Sequence, residues 1–103
     1  MKLVMHSVHF DADQKLIDFI QKKADKLDTF HDRILNGEVY MRVEKDTEHK
    51  QNKIVELKLF VPGGTFFAKE QSNSFESAAD TAVEALKTQL KRAKEKMVER
   101  LHA

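Results

Sequence analysis

The chain has 103 residues, 41% apolar and 34% charged, with no cysteine and a formal net charge of +1. That length supports one domain with a single modest core, and the missing thiols exclude a disulfide framework, a thiolate metal site and a cysteine nucleophile. The first residues, Met1-Lys2-Leu3-Val4-Met5-His6, hold no apolar run long enough for a signal peptide, and no later stretch could span a bilayer, so a cytoplasmic location is expected. A charge balance so close to zero argues against a polyanion binder unless the positive groups are gathered on one surface. Where the charges sit therefore decides the question.

Residues 2–10 read as a strand, with Leu3, Met5 and Ser7 on one face and Val4, His6 and Val8 on the other. In Phe10-Asp11-Ala12-Asp13 either aspartate can cap a helix, and Asp13 is the better placed. Leu16, Ile17, Ile20, Ala24 and Leu27 then recur at helical spacing, which predicts about four to five turns at 3.6 residues per turn. Asn36-Gly37 breaks the chain into the next element. Three strand-like runs follow, Glu38 to Glu44, Lys53 to Val61 and Thr65 to Gln71, the first two joined by a polar loop from Lys45 to Asn52. Pro62-Gly63-Gly64 joins the second pair as a tight turn, proline presetting φ and glycine free to take a positive one.

Ser72-Asn73-Ser74 offers caps for a long second helix whose stripe runs Phe75, Ala79, Val83, Leu86, Leu90, Ala93, Met97, Leu101. One small sheet cannot cover a helix of that length, so its last turns are expected to project past the core. The order is β-α-β-β-β-α. A right-handed crossover through the first helix would make the first two strands parallel, and both helices would cover one face of a four-stranded α+β sheet.

Signals for catalysis are weak. No two of His6, His9, His31, His49 and His102 stand at the i, i+4 spacing of a helical metal pair, and no carboxylate cluster accompanies them. Gly63-Gly64 lacks the flanks of a phosphate loop. No metal, cofactor, small-molecule substrate or catalytic residue is expected, and the protein is not read as an enzyme.

The charged helices say more. At 100° per residue, Lys15, Lys22, Lys23 and Lys26 fall on one flank of the first apolar stripe, and Asp18, Asp25 and Asp28 on the other. A solvated face held by i, i+4 pairs would mix the signs. The second helix is polarised along its length, with Glu76, Asp80 and Glu84 in its first half and Lys87, Lys91, Arg92, Lys94, Lys96 and Arg100 in its second. Dipole complementarity explains basic groups in a last turn, but not a basic run that starts four turns from the end. Glu95 and Glu99 can pair locally, so part of this charge is structural; the rest points to an anion. Tyr40, Phe60 and Phe66 or Phe67 also fall on the sheet face away from the helices, near Arg42, Lys58 and Lys69. Such a face could stack bases, but the RNA-recognition signature is absent and the element order is wrong for that fold, so cross-strand packing is the better reading.

Lys23-Ala24-Asp25-Lys26-Leu27, Val61-Pro62-Gly63-Gly64 with Phe66-Phe67-Ala68-Lys69-Glu70, Ser74-Phe75-Glu76-Ser77-Ala78-Ala79-Asp80, and Leu86-Lys87-Thr88-Gln89-Leu90-Lys91-Arg92-Ala93-Lys94 occur in an order and spacing that resembles the ribosome hibernation promoting factor family. The resemblance spans essentially the whole chain. It implies a fold related to double-stranded-RNA-binding domains, a small ribosomal subunit with its 16S-type ribosomal RNA as partner, and inhibition of translation in stress or stationary phase through occupation of the mRNA and tRNA channel. Carried over by position, Lys23 and Lys26 match basic family positions in the first helix, and Arg92 and Lys94 in the second. Ala85 and Thr88 stand where relatives commonly carry basic residues, which either leaves that work to Lys87 and Lys91 or makes the contact weaker. The RNA-binding set is thus Lys22, Lys23, Lys26, Lys87, Lys91, Arg92 and Lys94, in rows expected to face one groove between the helices. Ending at Ala103, the chain looks like a short form that is monomeric off the ribosome.

Two other readings stand beside this one. A generic double-stranded-RNA binder would carry lysines at the start of its last helix, where this chain has Ser74-Phe75-Glu76-Ser77. A protein-interaction module would use the projecting helix end through Met97, Val98 and Leu101.

Overall fold

In the computed structural model, residues 1–44 and 51–102 are described, with side chains through residue 97. Along the chain lie β1 (Leu3–Ser7), α1 (Gln14–Asp25), β2 (Asn36–Val43), β3 (Lys53–Val61), β4 (Gly64–Ser72) and α2 (Phe75–His102). The four strands form one sheet in the order β1-β2-β3-β4, parallel at the first pair and antiparallel at the other two. This is the α+β arrangement anticipated from the sequence. Residues 45–50, most of the polar loop and with it His49 and Lys50, lie outside the described residues. No described helix is long and apolar enough to cross a membrane.

Local chemistry sets the element ends. Asp13 has extended backbone and its carboxylate accepts from the Leu16 amide at 2.9 Å, so α1 starts where the better-placed aspartate stands. At its other end the helix tightens into a 3-10 turn, Lys26–Thr29, closed by Phe30 N–H donating to the Leu27 carbonyl at 2.9 Å and by the Thr29 hydroxyl donating to that of Lys26 at 2.8 Å. The expected α-helical stripe reaches Leu27 only through this turn. α2 opens on Ser74, whose hydroxyl oxygen accepts from the Ser77 amide at 3.1 Å.

β1 is shorter than the predicted strand 2–10. His9 sits at φ 64°, a left-handed conformation that no strand can continue through, and Phe10 turns back to stack on Phe75 with ring centroids 4.9 Å apart. Pro62 and Gly63 make the β3–β4 turn, Gly63 at φ 81°, the positive value that a type II turn requires at that position. Gly37 is needed for a different reason: a Cβ there would stand 2.6 Å from Leu3 Cδ2 and 3.0 Å from the Lys58 carbonyl oxygen.

Both helices lie on one sheet face. Val39, Met41, Val55, Leu57, Leu59 and Ala68 from the sheet meet Leu16, Ile20, Ala24 and Leu27 from the α1 segment and Ala78, Ala79, Ala82, Val83, Leu86 and Leu90 from α2 in one buried cluster. Phe66, opposite Leu59, joins this face, while Phe67, opposite Lys58 and 46% exposed, belongs to the open one. On that open face His6 stacks on Tyr40 at 4.4 Å, the cross-strand packing favoured for its aromatics, and Arg42 pairs with Glu56 at 2.8 Å. Among the described side chains the last buried one is Leu90, and Met97 is 66% exposed, so α2 outruns the sheet as its length required.

Candidate nucleic-acid interface

The core stripe of each helix fixes which charges can meet. With Ile20 and Leu27 turned into the core, Lys23 and Lys26 fall on the flank of α1 and its 3-10 turn that faces α2. With Leu86 and Leu90 turned inward, Lys87, Lys91 and Lys94 come out on the flank of α2 that faces back. A groove runs between them. One hollow, of about 300 Å³, is lined by Lys23, Lys26 and Lys87 with Asp80 and Glu84, over a floor of Leu27, Val83 and Phe30. A second, of about 330 Å³, continues past Phe30 and His31, with Asp28 and Asp32 on one wall and Ala93, Lys94 and Met97 on the other. Thr29 and Phe30 border both.

Five of the seven expected site residues therefore meet at this groove: Lys23, Lys26, Lys87, Lys91 and Lys94. Lys22 is exposed and lines neither hollow; on the helical wheel it lies further round α1 toward solvent. Arg92 lies on the opposite flank of α2. One turn before it, the Gln89 amide donates to the Phe67 carbonyl at 2.8 Å and turns that flank toward β4, so Arg92, across the core stripe from Lys87 and Lys91 by helical spacing, does not share their groove.

The acidic groups are distributed as tellingly. Asp80 reaches across the helix junction to Lys23 at 3.2 Å, and Lys23 also lies 5.6 Å from the centre of the Phe19 ring, so this lysine is partly structural. Asp25 and Asp28, the other flank of the first helix, take the Met1 amino group at 3.4 and 2.8 Å and raise its pKa, the Asp28 hydrogen bond contributing most. Asp25 is thus occupied structurally, whereas Asp28 both holds the N-terminus and lines the second hollow.

Sequence reasoning passed over Phe30. The Lys87 and Lys91 ammonium groups stand 5.2 and 5.3 Å from its ring centre, and its other side packs on the core. Its signal was faint, an aromatic three residues beyond Leu27 where the helical stripe had apparently ended.

Residues 3–98 match the family described as sigma 54 modulation protein / S30EA ribosomal protein. The chain belongs to that family. Among its relatives is the ribosome hibernation promoting factor of Pseudomonas putida, 33% identical over 96 residues, which cover 93% of this chain and 89% of that one. Its fold is similar to that of a ribosomal subunit interface protein from Coxiella burnetii (TM-score 0.80, 25% identity, 92% of this chain and 99% of the other). It is also similar to the crystal structure of the Thermus thermophilus Protein Y N-terminal domain (TM-score 0.76, 25% identity, 89% and 98%). This S30EA family member thus aligns along most of the Pseudomonas and Coxiella chains and of the Thermus N-terminal domain.

Proposed function

We propose that this chain is a ribosome hibernation factor that binds the small ribosomal subunit in the channel used by mRNA and tRNA. It silences translation there in stress or stationary phase by occupation, with no bond made or broken and no cofactor. It acts in the cytoplasm and is a monomer off the ribosome. The observation that carries this reading is the groove, which gathers Lys26, Lys87 and Lys94, with Lys91 over the Phe30 ring, on one side of a near-neutral family member. Lysines drawn together in this way neutralise phosphates and release condensed counterions, which gives affinity without needing a basic protein overall.

Sedimentation with purified small subunits over a salt series tests it. Wild-type binding falls steeply as salt rises. Joint reversal of Lys26, Lys87, Lys91 and Lys94 to Glu flattens the slope of log K against log salt by roughly three and weakens binding at least about a hundredfold. The fold should survive, because exposed charges contribute little to stability. Arg92→Glu and the control Lys53→Glu, at the start of β3, have smaller effects, and light scattering reads a single chain per particle. Wild-type affinity for the quadruple variant would overturn the reading. The exposure of Met97 favours one competitor, a protein partner on the projecting helix, whose mark would be binding that persists in high salt.

A further inference from the structure

The groove is not uniformly basic. Asp80 and Glu84 line the hollow next to Lys23, Lys26 and Lys87, over an apolar floor of Leu27, Val83 and Phe30, and Asp28 and Asp32 line the second hollow across from Lys94. Along α2 the acids come first and Lys87, Lys91 and Lys94 follow, with Phe30 where the two stretches meet. A phosphate in the first hollow would face the Glu84 carboxylate. A nucleobase would not: it is neutral, has a flat apolar face, and carries amino groups on its edge that a carboxylate accepts from. What stands over the Phe30 ring is two ammonium groups on flexible stems. Such exposed cation–π contacts are weak, and the stacking of a base on an aromatic ring outweighs them.

We propose that Phe30 is a stacking platform for an unpaired nucleobase, whose amino edge meets Glu84 while Lys87 and Lys91 leave the ring for the flanking phosphates. This rests on the reading of the groove as an RNA interface and adds to it a preference for single strands and for amino-bearing bases. Cytosine and uracil provide the sharpest contrast, because they share a ring size and differ at position 4 in an amino donor against a carbonyl acceptor.

The test is fluorescence anisotropy at low salt with labelled single-stranded oligo(C) and oligo(U) and a blunt RNA duplex, using the full chain. Wild type should bind oligo(C) about fivefold or more tighter than either of the others. Phe30→Leu, which keeps an apolar filler on the core, should weaken oligo(C) binding about tenfold with an unchanged salt slope, and Phe30→Trp should restore it. Glu84→Gln should raise affinity overall and narrow the gap between C and U. Thermal melts of the Phe30 variants separate lost folding from lost stacking. Equal binding of duplex and single strand, wild-type affinity in Phe30→Leu, or no oligomer binding at all would overturn the proposal. If small subunits still bind wild type with a steep salt slope, the groove reading survives that failure; if they do not bind, the groove reading itself has failed.

Discussion

The two halves of α2 carry the same apolar spacing and do different things. From Phe75 to Leu90 the stripe is buried under the sheet and α1, and the exposed flank carries acids, as suits the positive end of a helix dipole. From Lys91 onward the stripe continues through Ala93 to Met97, but the sheet has run out and the flank is lysine-rich. Periodicity tells which side of a helix would face a protein, not whether protein is there. In this molecule the first half supplies the stability and leaves the second free to present charge, with Lys87 and Phe30 at the boundary.

The largest effect that could break this comparison is in the core. Leu86→Ala and Leu27→Ala each remove a fully buried side chain and should cost about 2–5 kcal/mol by chemical denaturation. Met97→Ala, at an equivalent stripe position beyond the sheet, should cost under ~0.5 kcal/mol. Equal losses at all three would mean that something covers the far end of α2.

Strands and caps were largely legible because they depend on near neighbours in the chain. The run Lys53 to Val61 is β3 to the residue, Asp13 and Ser74 cap as their side-chain oxygens allow, and the Pro62-Gly63 turn follows from backbone preference. The misses are places where a distant part of the chain decides. His9 turns the backbone out of β1 just before Phe10 meets Phe75. The choice between Phe66 and Phe67 needed the β3–β4 register. Phe30 gained its place only when a 3-10 turn carried it under α2, whereas helical spacing alone already sets Arg92 across the stripe from Lys87 and Lys91. Of the candidate site, sequence yielded the lysines and the inter-helix groove but not its aromatic centre or the carboxylates that line both hollows.

A second, smaller effect probes the sheet beneath that first half. Gly37→Ala should destabilise by about 1–3 kcal/mol, the usual cost of overpacking, because the new methyl must displace Leu3 and meets the Lys58 backbone, which cannot move without disturbing β3. Small-subunit binding of the folded variant should be unchanged. A neutral result in denaturation would show that β1 can slide on β2 and that the sheet is a softer support than its packing suggests.

The smallest effect is the most informative about the boundary. Lys23 is shared between structure and groove: its ammonium group bridges to Asp80 at 3.2 Å, yet the side chains are 32% and 53% exposed. An ion pair that open is screened by water and contributes little, so a double-mutant cycle with Lys23→Ala and Asp80→Ala should give a coupling of about 0.2–1 kcal/mol that fades as salt approaches molar strength. A coupling of that size leaves Lys23 loose enough to exchange Asp80 for a phosphate, and Lys23→Ala should then weaken small-subunit binding more than it weakens the fold. A coupling above ~2 kcal/mol that resists salt would instead assign Lys23 to the structural half of the molecule. The groove would then begin at Lys26, with the lysines of α2 carrying the phosphate contacts almost alone.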